Sequence, residues 1–518
     1  MRILVFSETS ASNLQSRLGT SEYSYYFVLR EFLPVLQGMG EVQIVECPEQ
    51  EVDAIYLSCR ANGQPCVFLS FSPPHRTRLD LLCPTIPVFA WEFDTIPHES
   101  WLGRAEEDWS WVIRQLGRAI THSASTVAAT YRELEPSYPL LNAPAPVWDS
   151  FAALRAQPRH EGLSVIRGHG ALFDSTALEL SDFLHADPDR WHAVVHDTPL
   201  PVSDLEAIAE KAALFASLHR KMGQAPDLPQ EEVPPPDAAK IPQQRVFDRA
   251  WWQLGKRYVT DWYAKVLADL LSASAPHEPE VVSETLHTDV PVDLFKAAPF
   301  ELILDGVVFT SVFNPYDGRK NWQDLLSAFC SEFSETPDAI LLFKLTHRAC
   351  TSVIVEMLRH LARLPRFQCQ VILLHGYLEE ADYQTLVGAT AYVVNASYGE
   401  GQCLPLMEFL SCGKPAIAPD HSGMSDYIDA RLAFIVASWE EATGWPHDPR
   451  FATRTHHRQI SWVSLRQAFA QAYSTYRDKP ESYAEMAEYA IERMRQHCSR
   501  DAIRAKLEPF LCEAAACG

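Results

Sequence analysis

Positive charge is what this chain most lacks. Its 518 residues hold 44 Lys and Arg against 67 Asp and Glu, a formal net charge of −23. That balance argues against nucleic acid as a partner and against simple adhesion to anionic lipid; an anionic substrate needs a locally basic pocket. Long apolar runs are missing as well. No stretch approaches the roughly 18 apolar residues of a membrane span, so peripheral membrane association is the most that is expected. The opening "MRILVFSETS" carries too short an apolar run for a signal peptide and is broken at Glu8. Cys-x-x-Cys pairs are absent. The 12 cysteines are scattered, without metal-like spacing to histidine, and read as reduced thiols. A cytoplasmic protein is expected.

Apolar residues make up 47% of the chain, enough for ordinary cores, and its length calls for two large domains. Short apolar runs alternate with helical patterns over residues 1–150: "RILVF", "EVQIVE", "CVFLSFS", "IPVFAWEF" and "RAITHSAS". This is the rhythm of a Rossmann-like α/β domain. It fades, then returns over 300–480 with "GVVFTSVF", "AILLFKL", "QVILLHG", "AYVVNAS", "PAIAPD" and "AFIVAS". Between the first two of these runs, Trp322, Leu325, Leu326 and Phe329 stand at i, i+3, i+4 and i+7, a buried helical stripe. Residues 481–518 read as a helical tail packing back across both domains.

Residues 151–299 read as an insert or linker. They hold the Pro-rich acidic "APDLPQEEVPPPDAAKIPQQ", an extended loop. A helix follows, with Trp251, Trp252, Tyr258, Val259, Trp262, Tyr263, Val266, Leu267 and Leu270 on one broad face. That face reads as buried against a domain; a recognition surface for a glycan, a partner or a bilayer is the alternative.

The stretch "SYGEGQCLPLMEFLSCGKPAIAPDHSG", residues 397–423, carries the chemistry. Proline suits the first turn of a helix and not its interior, so Pro405 places Glu400 in a loop and Glu408 one turn into the helix. The N–H groups of Gln402, Cys403 and Leu404 then point out of a helix N-terminus, a site for a polar or anionic ligand.

With Gly401, Leu404-Pro405, Gly413 and Pro415 in order around the two glutamates, residues 306–430 resemble the C-terminal domain of retaining GT-B glycosyltransferases of family 4. The family's Gly-Gly-x-x-Glu is represented by Ser422-Gly423-Met424-Ser425-Asp426. The resemblance implies a GT-B fold, two Rossmann-like domains facing across a cleft, with the acceptor side in the N-terminal one. It implies a hexosyltransferase moving sugar from a nucleoside-diphosphate sugar to a glycan or lipid-linked acceptor, as in polysaccharide biosynthesis. Glu400 would accept hydrogen bonds from the donor sugar. Gln402, Cys403 and Leu404 would cradle sugar and diphosphate, and Glu408 would bind the ribose. In "FNPYDGRKNWQDLLSAF", Lys320 matches the family's diphosphate lysine. Arg319 follows an Arg-Lys-Asn variant, because Asn314 stands where the arginine usually lies. Gly376-Tyr377 falls where the family holds the base. For retention, the family's usual proposal is front-face attack with the leaving phosphate helping to deprotonate the acceptor.

Lys320, Arg319 and helix N-termini can neutralise a departing diphosphate, so no metal or other cofactor is expected. The lone Asp-x-Asp, Asp187 and Asp189, reads as a turn. In the N-terminal half, His75, Glu92, Asp94 and His98 follow strands on the edge where ligands enter α/β sheets, and are candidates for a site there. His122 reads as structural. The family's glycine-rich first loop is replaced by "SETSASNLQSRLGTSEYS". An epimerase or phosphorylase on the same fold, or a non-catalytic scaffold, are the alternatives.

Overall fold

A computed structural model of the chain describes residues 1–10, 19, 23–100, 103–156, 163–184, 296–445 and 454–517. The Pro-rich loop, the aromatic helix of 251–270, and Asp187 and Asp189 all lie outside these described residues.

The N-terminal sheet is built from β1 (Arg2–Phe6), β2 (Glu41–Ile44), β3 (Cys66–Phe71), β4 (Thr85–Phe89), β5 (Ala119–Thr121) and β6 (Leu140–Asn142). All neighbours pair in parallel, in the order β2-β1-β3-β4-β5-β6. Parallel strands need crossovers, and α1 (Tyr23–Gln37), α2 (Pro48–Ala61), α3 (Trp109–Leu116) and α4 (Ala124–Tyr131) supply them. Local chemistry fixes several helix ends. Asp108 accepts from the Trp111 N–H at 3.0 Å to open α3, and Gly117, at φ 75°, closes it. Ser123 opens α4 in the same way, accepting from the Thr126 N–H at 3.2 Å. A short α5 (Ala152–Arg155) ends this part.

The second sheet has the order β14-β13-β12-β9-β10-β11-β7-β8. Six of its strands are parallel: β9 (Val307–Phe313), β10 (Ala339–Leu345), β11 (Gln370–Tyr377), β12 (Tyr392–Val394), β13 (Ala416–Ala418) and β14 (Ala433–Ile435). The helices between them are α6 (Trp322–Glu332), α7 (Thr351–Arg363), α8 (Glu380–Ala389) and α9 (Leu404–Ser411). The stripe Trp322, Leu325, Leu326 and Phe329 is buried, as its spacing requires, against a core that holds Phe309, Phe333, Tyr392 and Phe469.

The boundaries expected for the insert need correction. β7 (Ser164–Asp174) and β8 (Ala298–Leu304) belong to this sheet, β7 antiparallel to β11 and β8 antiparallel to β7. The segment 164–174 was obscured because Gly168 and Gly170 interrupt its apolar pattern. Gly170 is there for closeness: a Cβ on it would lie 2.2 Å from the His375 carbonyl oxygen. A polar hairpin was also missed, β15 (Ser438–Gly444) with β16 (Arg454–Ile460), whose outer faces carry charge instead of apolar alternation.

The tail forms α10 (Trp462–Asp478), α11 (Pro480–Cys498) and α12 (Arg500–Cys517). Phe469 of α10 is buried in the second domain, whereas Ile503, Leu507, Leu511 and Ala514 of α12 join the core of Ile3, Val5, Val67 and Leu69 in the first. The Trp148 indole N–H donates to the Ile491 carbonyl at 3.0 Å, and Arg118 to that of Phe510 at 3.1 Å. Among the described residues, no helix is long and apolar enough to cross a membrane.

Candidate functional site

The two sheets meet through the segments that leave their C-terminal strand ends. Residues 399–402 follow β12, and 90–92 follow β4. A Cβ on Gly399 would lie 2.9 Å from the Glu92 carbonyl oxygen, and one on Gly401 3.2 Å from the Ala90 Cβ. These glycines let two backbones touch. The Gln402 side chain accepts from the Ala145 N–H at 3.0 Å, beyond β6. Asp426, beyond β13, accepts from the Ala124 N–H at 2.8 Å, at the first turn of α4. Two Rossmann-like domains apposed in this way, with the chain returning to the first at its end, make the GT-B fold.

At this junction Lys320 Nζ donates to Glu400 Oε1 at 2.7 Å. The same oxygen accepts from Ser397 Oγ at 2.6 Å and Asn395 Nδ2 at 3.1 Å. Oε2 has no donor among the described residues and is the free face of the carboxylate. Burial works to raise the Glu400 pKa, but Lys320 and Arg319 outweigh it and hold it lowered to about 2. Burial likewise works against the Lys320 charge, and Glu400 reverses that, leaving its pKa raised. Both groups are charged. The Lys320 ammonium keeps further protons for a ligand.

The backbone at 400–404 is set by two left-handed residues. Cys403, at φ 57°, turns the chain into α9, and Pro405 occupies its first turn, as the sequence predicts. Among the described residues the N–H groups of Gln402, Cys403 and Leu404 have no acceptor, so the helix start presents bare donors beside Lys320. Ser422, at φ 50°, stands where the related pattern has glycine; its Oγ accepts from the Glu400 N–H at 2.9 Å. Gly423 N–H donates to the Glu400 carbonyl at 2.8 Å, and a Cβ there would lie 2.1 Å from the Gly401 oxygen.

Arg319 is placed differently from the expected diphosphate ligand. Its Nε and Nη2 grip Asp317 at 3.1 and 2.6 Å, and Nη1 donates to the Gly399 carbonyl at 2.8 Å. Nη2 also lies 3.2 Å from Glu92 Oε1. Two carboxylates already offset the guanidinium, which ties the 399–400 loop to the first domain. Asp317, four residues past the end of β9, was not singled out in the sequence.

Glu408 is partly buried, and Tyr383 Oη donates to its Oε2 at 2.6 Å. Burial raises its pKa to about 7; the tyrosine hydrogen bond and Arg30 oppose the rise, and Glu31 adds to it. Glu31 is held by Arg30 at 2.9 Å and by Ser150 Oγ. Tyr377 ends β11 and is exposed.

The N-terminal candidates scatter. Glu92 reaches the site through Arg319. Asp94 is an anchor for the β15–β16 hairpin: it accepts from Arg132 at 2.6 Å, from Thr455 Oγ1 and the His456 N–H at 2.8 Å each, and from His456 Nδ1 at 3.0 Å. Although burial raises its pKa, these donors hold it well below the usual carboxylate range. His75 accepts at Nδ1 from the Trp109 indole N–H at 3.0 Å. His98 is exposed on its loop, 3.0 Å from the Ile96 carbonyl. His122 is buried, and burial lowers its pKa to about 4.

Sequence reasoning passed over Asn395, Ser397 and Lys344. The signal was a polar residue closing an apolar strand. Lys344, buried in β10, donates to the Gly376 carbonyl at 2.5 Å, and burial lowers its pKa to about 8. Among the described residues, no three His, Cys, Asp or Glu are grouped to hold a metal ion.

No protein-family profile and no curated protein sequence matches the chain. Solved structures similar to it include the sucrose-phosphate synthase of Thermosynechococcus elongatus, at 12% identity over 100% of both chains with a TM-score of 0.46. A glycosyltransferase from Rickettsia africae is similar at 9% identity over 99% of this chain and 98% of that one, TM-score 0.46. HepE of Anabaena, in complex with UDP and glucose, is similar at 10% identity over 99% of this chain and 100% of that one, TM-score 0.43.

Proposed function

We propose that the chain is a retaining glycosyltransferase of the GT-B type, related to family 4. It moves a hexose from a nucleoside-diphosphate sugar to a glycan or lipid-linked acceptor without a metal ion. The observation that carries this reading is the Lys320–Glu400 pair at 2.7 Å, set beside three N–H groups at 402–404 with no acceptor among the described residues. A leaving diphosphate gains negative charge as the glycosidic bond breaks. Lys320 and the start of α9 meet that charge with a cation and fixed dipoles, which need no reorganisation during the reaction. Glu400, kept ionised, offers Oε2 to the donor sugar's hydroxyls and holds the lysine in place. Arg319 acts indirectly, bracing the loop that carries Glu400. Glu408 and Tyr377 receive ribose and base. Location in the cytoplasm, with at most peripheral membrane contact, fits nucleotide-sugar chemistry.

The test is a calorimetric screen of the full chain against UDP, GDP and ADP. It is followed by an assay for free nucleoside diphosphate released from the matching sugar nucleotide in the presence of an acceptor pool. Selective binding of one nucleotide with release supports the reading. Binding of none of the three overturns it.

A further inference from the structure

Next to the Glu400 loop lies a cavity of about 440 Å³, lined by Asp420, His421, Ser422, Ser425, Ser438 and Arg458. Its volume falls within the roughly 300–1,000 Å³ of small-molecule sites. It occupies the C-terminal edge of the second sheet, where the chain leaves β13 and β14, the edge at which open α/β sheets take ligands. Two of its walls are bonded to the Glu400 loop. Ser422 Oγ accepts from the Glu400 N–H at 2.9 Å, and the Arg458 N–H donates to the Tyr398 carbonyl at 2.9 Å.

His421 points to what the cavity takes. It is only 7% exposed. Its Nδ1 lies 3.2 Å from Ser422 Oγ, a hydroxyl that also lies 2.8 Å from the His421 carbonyl oxygen. The carbonyl also accepts from the Met424 N–H at 3.1 Å, so the hydroxyl proton can serve either the carbonyl or Nδ1, and the roles of the two ring nitrogens follow the tautomer. Nε2 is buried without a partner. A buried polar nitrogen without a partner costs free energy until a ligand satisfies it. A ligand hydroxyl, which donates and accepts, pairs with it in either tautomer.

The rest of the lining agrees. Arg458 offers N–H donors while pairing with Glu440 at 3.0 Å. The Asp420 carboxylate has no partner among the described residues and accepts. Ser425 Oγ donates to the Ser422 carbonyl at 2.7 Å and keeps its lone pairs. The lining offers both donors and acceptors, and its one cation, already paired with Glu440, gives no strong pull on an anionic ligand. Sugar hydroxyls, which donate and accept together, fit that lining; a phosphate meets Asp420.

We propose that this cavity is a subsite for a neutral saccharide unit of the acceptor, with His421 Nε2 hydrogen-bonded to one of its hydroxyls. The acceptor role rests on the glycosyltransferase reading; the binding of a neutral sugar does not. Ligand-observed saturation-transfer NMR on the full chain tests it, using methyl glycosides of glucose, galactose, mannose and N-acetylglucosamine, with glucose 6-phosphate beside them. At least one neutral glycoside is expected to bind. Ser425→Trp, at an exposed position on the rim, should abolish that binding and leave nucleotide affinity unchanged. His421→Asn keeps a polar group where Nδ1 stands and removes Nε2, and should weaken the glycoside about tenfold, the worth of one hydrogen bond. Binding of no neutral glycoside, a signal that survives Ser425→Trp, or preference for glucose 6-phosphate would each overturn the proposal. A glycoside bound here while UDP, GDP and ADP all fail leaves the subsite standing and removes the donor reading instead.

Discussion

Lys320 Nζ sits 2.7 Å from Glu400 Oε1, joining residues 80 positions apart at the mouth of one sheet. Each group is protected from neutralisation by the other, since burial pushes each toward its uncharged form and the partner reverses it. The side chains are 17% and 6% exposed, so the attraction is little screened by solvent. A cation held in place before a ligand arrives needs no reorganisation to meet an anionic one.

Lys320→Ala should therefore lower kcat by about 10²–10³, the usual loss when one preorganised charge-stabilising donor is removed. If Glu408 binds the ribose, Glu408→Ala should act mainly on donor KM, because such a contact is made equally in ground and transition states. Steady-state kinetics on both variants, with circular dichroism to confirm folding, separates the two. A near-normal kcat in Lys320→Ala would place the phosphate clamp elsewhere.

The same pair has a stability signature. Glu400→Ala strands a buried ammonium, and breaking a buried pair from one side costs about 3–5 kcal/mol. Replacing both partners by apolar groups, Lys320→Met with Glu400→Leu, should recover most of that loss while leaving no activity. Urea unfolding of the single and double variants measures the coupling. Simple additivity of the two single losses would show that the pair contributes nothing as a unit.

Glu408 gives a pH dependence of definite sign. Burial raises its pKa from the ordinary 4.5 to about 7. Between those values the unfolded chain loses a proton that the folded chain keeps, so the carboxyl's contribution is full below the lower value and lost as pH rises through the upper one. Glu408→Gln removes this loss. Its melting temperature should match wild type near pH 4 and exceed it at pH 8. An equal difference at both values would mean that Glu408 is ionised throughout.

Chelation tests the charge balance directly. If Lys320 and the N–H groups of 402–404 meet the leaving diphosphate, EDTA should leave most turnover intact. Loss of turnover that Mg²⁺ or Mn²⁺ restores would shift attention to Asp187 and Asp189.

Much of the second domain follows from local pattern alone. A run such as "AILLFKL", short and apolar throughout, fits a strand buried on both faces, and the Trp322–Phe329 spacing fits a helix with one buried stripe, as the structure has them. Pro405 likewise commits the chain to a helix start, because its ring is excluded from a helix interior. These outcomes depend on neighbours within a few residues. What the tertiary structure decided depends on partners far along the chain. Arg319 and Lys320 are adjacent cations with the same sequence signal, yet one is spent on Asp317, Glu92 and the Gly399 carbonyl, while the other meets Glu400 and keeps free protons. Asp94 becomes a hairpin anchor only because Thr455 and His456 arrive beside it. β7 joins the second sheet only because Gly170 and Gly376 let two backbones approach, a steric fit that exists only once both strands are in place.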